Sequence, residues 1–212
     1  MDTVIVCFTT RQRGLPHLER LQRSNPGKRI MVFEGRDAKP GLDRYRAWSN
    51  CDKMILGWWQ ETGRHLEFDR VVFLEWDVVC DADVDEVFPA EGDLIAKEIV
   101  YPGQKWNWWC YRWKLPRRFR KVRCGVIPLA VMAVSRRCLD TMFADPEVLR
   151  LYDKHIFCEL RFPTAARACG FEPQPCPALE HVFWDKIDGD ATRPGIWHPV
   201  KAALPVPVPA GG

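Results

Sequence analysis

Glu75 and Asp77 stand two residues apart directly after the apolar run Val71-Val72-Phe73-Leu74, and Val78 and Val79 follow them. Carboxylates do not belong inside a strand buried on both faces, because an uncompensated buried charge costs several kcal/mol or loses its charge. The pair is therefore expected at the carboxyl end of the strand, the edge where open α/β sheets bind ligands. Strand alternation would aim Glu75 and Asp77 to one side and Trp76 to the other. Two converging carboxylates repel each other unless a cation lies between them, and a hard divalent ion such as Mg²⁺ or Mn²⁺ suits oxygen ligands. The plainer alternative makes them loop-start acids, with Asp77 capping the turn before Asp81, Asp83 and Asp85.

Further polar residues fall where strands should end. Thr9, Thr10, Arg11 and Arg13 follow the first apolar run and precede Gly14, so hydroxyls and guanidinium forks could line a nucleotide phosphate site. A solvated loop would read the same way. Asp37, just past the second expected strand, and Trp76 join these as candidate donor-binding residues. Glu159 sits among apolar residues and suits either a cleft floor or pairing with a nearby arginine. His198 and Lys201 lie close together near the end, and a histidine before a proline in a late loop serves a surface or hydrogen-bonding role as readily as a metal.

The elements that must position these residues follow from the apolar pattern. Strands are expected at 4–8, 29–34, 71–79, 92–96 and 124–134, and helices at 15–24, 42–62, 149–157 and 158–169, with Ser135 capping another. Leu18 and Leu21 should face inward, and Met54, Ile55, Trp58 and Trp59 read as core. The alternation of strand and helix predicts an α/β fold with a mostly parallel, Rossmann-like central sheet flanked by helices. One domain is expected over residues 1–202, with a Pro-rich flexible tail at 203–212.

The 212 residues are 47% hydrophobic and 28% charged with a formal charge of +3, which describes a globular protein and does not by itself imply nucleic acid. The nine cysteines lack CxxC spacing and read as reduced core thiols, and Cys169, Cys176 and His181 give little support for zinc. No apolar run is long enough to span a bilayer, and no leader pattern follows Met1, so a cytoplasmic chain is expected. Segment 104–123 has a different character. Four of the ten tryptophans fall between Trp106 and Trp113, and six basic residues follow from Lys114 to Arg123. Such an insert could stack on sugars or bases, bind phosphates, or contact an anionic membrane peripherally; alternatively its tryptophans pack on the domain while the arginines stay wet.

The chain resembles GT-A-type nucleotide-sugar glycosyltransferases, in particular small bacterial members with a Glu-x-Asp metal motif. The likeness rests on the first strand with its polar loop, Glu75-Trp76-Asp77, the stretch Glu159-Leu160-Arg161-Phe162-Pro163-Thr164 with Gly170, and Trp197-His198-Pro199-Val200-Lys201. It implies a nucleotide-diphosphate sugar as donor, with a UDP-sugar favoured, and Mn²⁺ or Mg²⁺ as the ion. By position it implies Asp77 as direct metal ligand, Glu75 on metal through water or on the ribose, and His198 as third ligand. Glu159 would be the base of an inverting reaction or an orienting group of a retaining one, while Arg11, Arg13 and Lys201 would help neutralise the leaving diphosphate. The acceptor, whether glycan, lipid-linked, peptide or small molecule, is not implied, and the basic aromatic insert has no counterpart in the resemblance. Two other readings compete: a non-catalytic module binding nucleic acid or another anionic polymer through 105–123, and a nucleotidyltransferase, for which the single glycine of Thr9–Gly14 is a poor match.

Overall fold

The computed structural model describes residues 1–9, 15–34, 50–184, 191 and 193–200. Strand β1 (Thr3–Thr9) is buried along its whole length, with parallel neighbours β2 (Arg29–Glu34) and β3 (Arg70–Leu74) on its two sides. The six-stranded sheet has the order β2-β1-β3-β6-β5-β7, where β5 is Leu94–Val100, β6 is Gly125–Ser135 and β7 is Gln174–Pro175. β6 runs antiparallel between β3 and β5, and the other three pairings are parallel. The α/β class and the mostly parallel sheet are thus as expected.

Alternation along the central strands divides the core. Val4, Val6, Phe8, Val71 and Phe73 face one apolar cluster with Trp58, Trp59 and Phe162, whereas Ile5, Cys7, Val72 and Leu74 face a second with Leu21, Val84 and Phe88. Both faces are covered, which is why these strands read as continuous apolar runs. The first layer contains helices Asp52–Glu61, Arg136–Ala144 and Cys158–Ala168; the second contains Leu18–Ser24 and Val84–Val87. Ser135 caps its helix by accepting from the Cys138 N–H, and Gly170, at φ +93°, supplies the left-handed turn after the helix that ends at Ala168.

Several elements differ from expectation. The 71–79 run is broken: β3 ends at Leu74, a turn closed by Val78 N–H to Glu75 O (3.2 Å) follows, and Val79–Cys80 forms a separate strand, β4. The expected helix at 149–157 shrinks to Pro146–Leu149 followed by tight turns. Its later carbonyls go elsewhere, because the Arg161 guanidinium donates to Lys154 O (3.2 Å) and Ile156 O (3.0 Å). The short strand at 92–96 becomes β5 and runs on to Val100, and the 42–62 helical region appears as Asp52–Glu61, with 35–49 outside the described residues. The proposed tail, 203–212, also lies outside them.

The insert is a 3₁₀ segment, Asn107–Lys114, and a short helix, Arg117–Lys121. Tyr111, Leu115 and Phe119 are buried, and Trp106 lies so close over Gly125 that a β-carbon there would come within 2.3 Å of the indole. Among the described residues no helix is long and apolar enough to cross a membrane.

Helix Cys158–Ala168 is locked in place by an ion pair between Arg161 and Asp52, both fully buried, with Arg161 Nε to Asp52 Oδ2 at 2.8 Å. Removing one member of such a pair strands a charge in the core. Asp52→Ala is expected to lower the unfolding free energy by about 3–5 kcal/mol, and the paired replacement Asp52→Leu with Arg161→Met to cost far less. Urea denaturation distinguishes these outcomes, and equal losses for both variants would contradict the assignment.

Candidate functional site

The break after Leu74 builds the site. Glu75 N–H still donates to Ala130 O (3.0 Å), continuing the β3 ladder with β6, and the chain then turns through Trp76 and Asp77. The two carboxylates converge because a turn lies between them, not through strand alternation. Strand β8 (Ile196–Trp197) returns to pair antiparallel with β4, Val79 opposite Trp197, and Val200 N–H donates to Asp77 O at 2.7 Å. This pairing carries His198 against the turn.

His198 is held from several directions. Its Nδ1 donates to Phe183 O at 2.6 Å, since the carbonyl can only accept, and the backbone pairs with His181 and Phe183. The ring therefore presents Nε2, 3.4 Å from Asp77 Oδ1 and 3.8 Å from Glu75 Oε2. His17, buried in the wall below, caps Val200 O at 2.9 Å, and buried Arg20 fixes Asp81 beyond β4 at 2.7 Å.

Glu75, Asp77 and His198 each offer one ligand atom, and these atoms lie within 4.8 Å of one another. An ion with bonds of about 2.1–2.2 Å needs ligand atoms roughly 3–4.3 Å apart, and the His198 Nε2 distances of 3.4 and 3.8 Å to the two carboxylates fall in that range. Asp77 Oδ1 is buried and makes no well-formed hydrogen bond among the described residues; its contact with His198 Nε2, at 3.4 Å, is one that a cation between the two could replace. An Nδ1 anchored on a carbonyl, with Nε2 free to ligate, is the usual arrangement of a metal-binding histidine. A donor set of two carboxylates and one imidazole could hold a divalent cation. Burial lowers the His198 pKa, but the adjoining carboxylates of Asp77 and Glu75 outweigh it and the net shift is upward. Without a metal, a proton on Nε2 offsets part of the same repulsion.

Glu159, 2% exposed at the start of helix Cys158–Ala168, forms the neighbouring wall. Its Oε1 accepts from the Trp184 indole N–H (2.9 Å) and Leu129 N–H (3.3 Å), and Trp108 is a further hydrogen-bonding neighbour of the carboxyl. Burial pushes its pKa up to about 8, with the charge of Glu75 adding to the rise and the Trp184 and Leu129 donors opposing it. It does not pair with Arg161, which is committed to Asp52. Trp108 stacks on Phe157 with ring centroids 4.0 Å apart and lies 5.3 Å from Trp184, so the insert supplies part of this wall.

Of the remaining residues singled out in the sequence, Thr9 ends β1 and is buried, and Trp76 helps line a small pocket with Cys7, His17 and Leu18. Thr10, Arg11, Arg13, Asp37 and Lys201 lie outside the described residues. Sequence reasoning missed Trp184, Phe183 and His17. Their contributions are an indole N–H, a carbonyl and a brace, none of which leaves a spacing pattern.

The fold and site define an α/β domain with a carboxylate–histidine cluster at the carboxyl edge of its parallel strands. No family model and no curated protein matches the sequence. Among solved structures, the chain is similar to a glycosyltransferase involved in glycosylation of the major capsid of PBCV-1, with 8% identity, a TM-score of 0.42, and 66% of this chain and 62% of that one covered. It is also similar to the glycosyltransferase GlyE of Streptococcus pneumoniae, with 10% identity, a TM-score of 0.48, and 81% and 44% covered. A third is an active-site mutant of LgtC, with 11% identity, a TM-score of 0.43, and 82% and 71% covered. The chain spans less than two thirds of the length of the first and second of these.

The raised Glu159 pKa has a linkage consequence. Between its ordinary 4.5 and about 8, the folded protein keeps the proton that the unfolded chain releases, so this group makes stability fall as pH rises through that window. Glu159→Gln should remove the slope and be relatively more stable at pH 8 than at pH 5, measured as urea midpoints of the metal-free protein. Parallel pH profiles for the two proteins would contradict it.

Proposed function

We propose that this protein is a metal-dependent glycosyltransferase that takes its sugar from a nucleotide-diphosphate donor, with a UDP-sugar favoured. The reading is carried by one observation: Glu75, Asp77 and His198 gather at the carboxyl edge of the parallel strands, with the buried Asp77 Oδ1 facing His198 Nε2 at 3.4 Å. Glu75, Asp77 and His198 would hold Mn²⁺ or Mg²⁺. The ion, when bound, supplies positive charge to a leaving diphosphate.

The chain's own residues have separable tasks. Asp77 is held through Val200 and His198 through His181 and Phe183, while the more exposed Glu75 would bind through water or reach a ribose hydroxyl. Thr9 and Trp76 adjoin this edge, and the flanking Thr10, Arg11, Arg13, Asp37 and Lys201 are proposed to complete the donor site. Glu159 keeps its proton near neutral pH in the metal-free protein and can donate a hydrogen bond to a sugar oxygen. In its ionised form it could instead take the proton of an attacking hydroxyl, as inversion requires. The acceptor is the substrate that Glu159 and the Trp108–Trp184 wall would meet.

Titration calorimetry with uridine diphosphate, with and without Mn²⁺, tests the reading. Wild type should bind only with the ion present, and Asp77→Asn should lose that binding while unfolding at a similar urea concentration. Metal-independent binding that the variant retains would contradict the proposal, as would failure of every nucleoside diphosphate to bind.

A further inference from the structure

The candidate site leaves the outer surface of the 104–123 insert unused. No acidic residue occurs between Glu98 and Asp140, whereas eight basic residues lie between Lys105 and Arg123. Some of this charge is already committed. Arg118 pairs with Asp145 (2.8 Å) and Glu147 (2.6 Å), and Arg120 donates to the carbonyls of Trp113 (3.2 Å) and Leu115 (3.0 Å). Lys114, Arg117 and Lys121 are exposed and form no ion pair among the described residues. Arg117 and Lys121, four apart in one short helix, share a face, while Phe119 between them is buried.

Trp113 stands beside these cations and is 64% exposed, unlike the other tryptophans of the insert. It is held outward: Arg120 grips its carbonyl, and the Arg112 and Arg120 guanidinium groups lie 4.6 and 5.4 Å from its ring. Buried Tyr111, Leu115 and Phe119 anchor the segment from beneath, so the exposed indole is presented by an ordered support.

We infer that this face docks on an anionic lipid bilayer, with Trp113 in the headgroup region and Lys114, Arg117 and Lys121 over the lipid charge. Tryptophan prefers the membrane interface, and clustered basic residues beside it add attraction to anionic headgroups. Nucleic acid fits less well because stacking on bases needs several open aromatic faces. Here Trp106 and Trp109 pack edge to face, with centroids 5.0 Å apart, and Trp108 is covered by Phe157. Docking through this face does not depend on the glycosyltransferase reading.

The test is co-sedimentation of the full chain with vesicles of phosphatidylcholine alone and of phosphatidylcholine with about one third phosphatidylglycerol, at about 0.1 M and 0.5 M salt. Binding is expected to the anionic vesicles only and to weaken at high salt. Arg117→Glu with Lys121→Glu should reduce it by at least about tenfold, on a scale of roughly fivefold per lost charge. Trp113→Ala should weaken it too, and quenching by brominated lipid should fall in that variant. Both variants alter exposed side chains, and matching circular dichroism and urea midpoints would show that they remain folded. The inference is overturned by absence of binding to anionic vesicles, by binding that both folded variants retain, or by salt-sensitive capture of a single-stranded oligonucleotide without vesicle binding.

Discussion

Two carboxylates a few ångströms apart at the edge of an apolar sheet repel each other, and the neighbouring structure is arranged to hold them there. Asp77 is nearly buried, so water cannot screen that repulsion well. Positive charge must come from a ligand or from the protein, and His198 is placed to take part in either. The antiparallel β4–β8 pair, the Val200 N–H on Asp77 O, the His17 cap on Val200 and the Phe183 carbonyl on His198 together hold the late segment beside the turn at 75–78. Without that closure Asp77 would be an ordinary loop acid, the plainer reading of the sequence.

The sheet explains why the turn falls where it does. β3 is buried on both faces through Leu74, and both of its neighbours, β1 and β6, are long and apolar. A carboxylate one residue earlier would have to enter a core of valines and phenylalanines, whereas at Glu75 the side chain reaches partial exposure. The buried Asp52–Arg161 pair works on the other wall. It fixes the helix whose first turn carries Glu159, so the position of that carboxyl follows from an ion pair two residues further along the same helix.

Much of this was legible in the residues. Continuous apolar runs located β1, β3 and β6 because strands covered on both faces must be apolar at nearly every position, and the shorter apolar run 30–33 located the more exposed edge strand β2. The Glu75/Asp77 spacing pointed to the sheet edge, and Ser135 and Gly170 marked helix ends through capping chemistry. The break inside 71–79 was hidden, since Val78 and Val79 suit a continuous strand as well as a turn followed by a new one. The antiparallel direction of β6 was also hidden, because apolar composition carries no sense of chain direction. Residues 149–157 looked helical from their own side chains, but the carbonyls of Lys154 and Ile156 serve Arg161, a partner supplied by tertiary structure. The mixed character of the insert was visible, yet which tryptophans pack and which one faces out depended on Gly125 and Phe157.

Whether Glu75, Asp77 and His198 form one metal site is tested most directly by electron spin-echo spectroscopy of the Mn²⁺-loaded protein, because a ligating imidazole nitrogen modulates the echo of the bound ion. Coupling to a single histidine nitrogen is predicted, and it should be lost in His198→Gln. A spectrum without nitrogen coupling, or coupling that persists in that variant, would contradict a shared site.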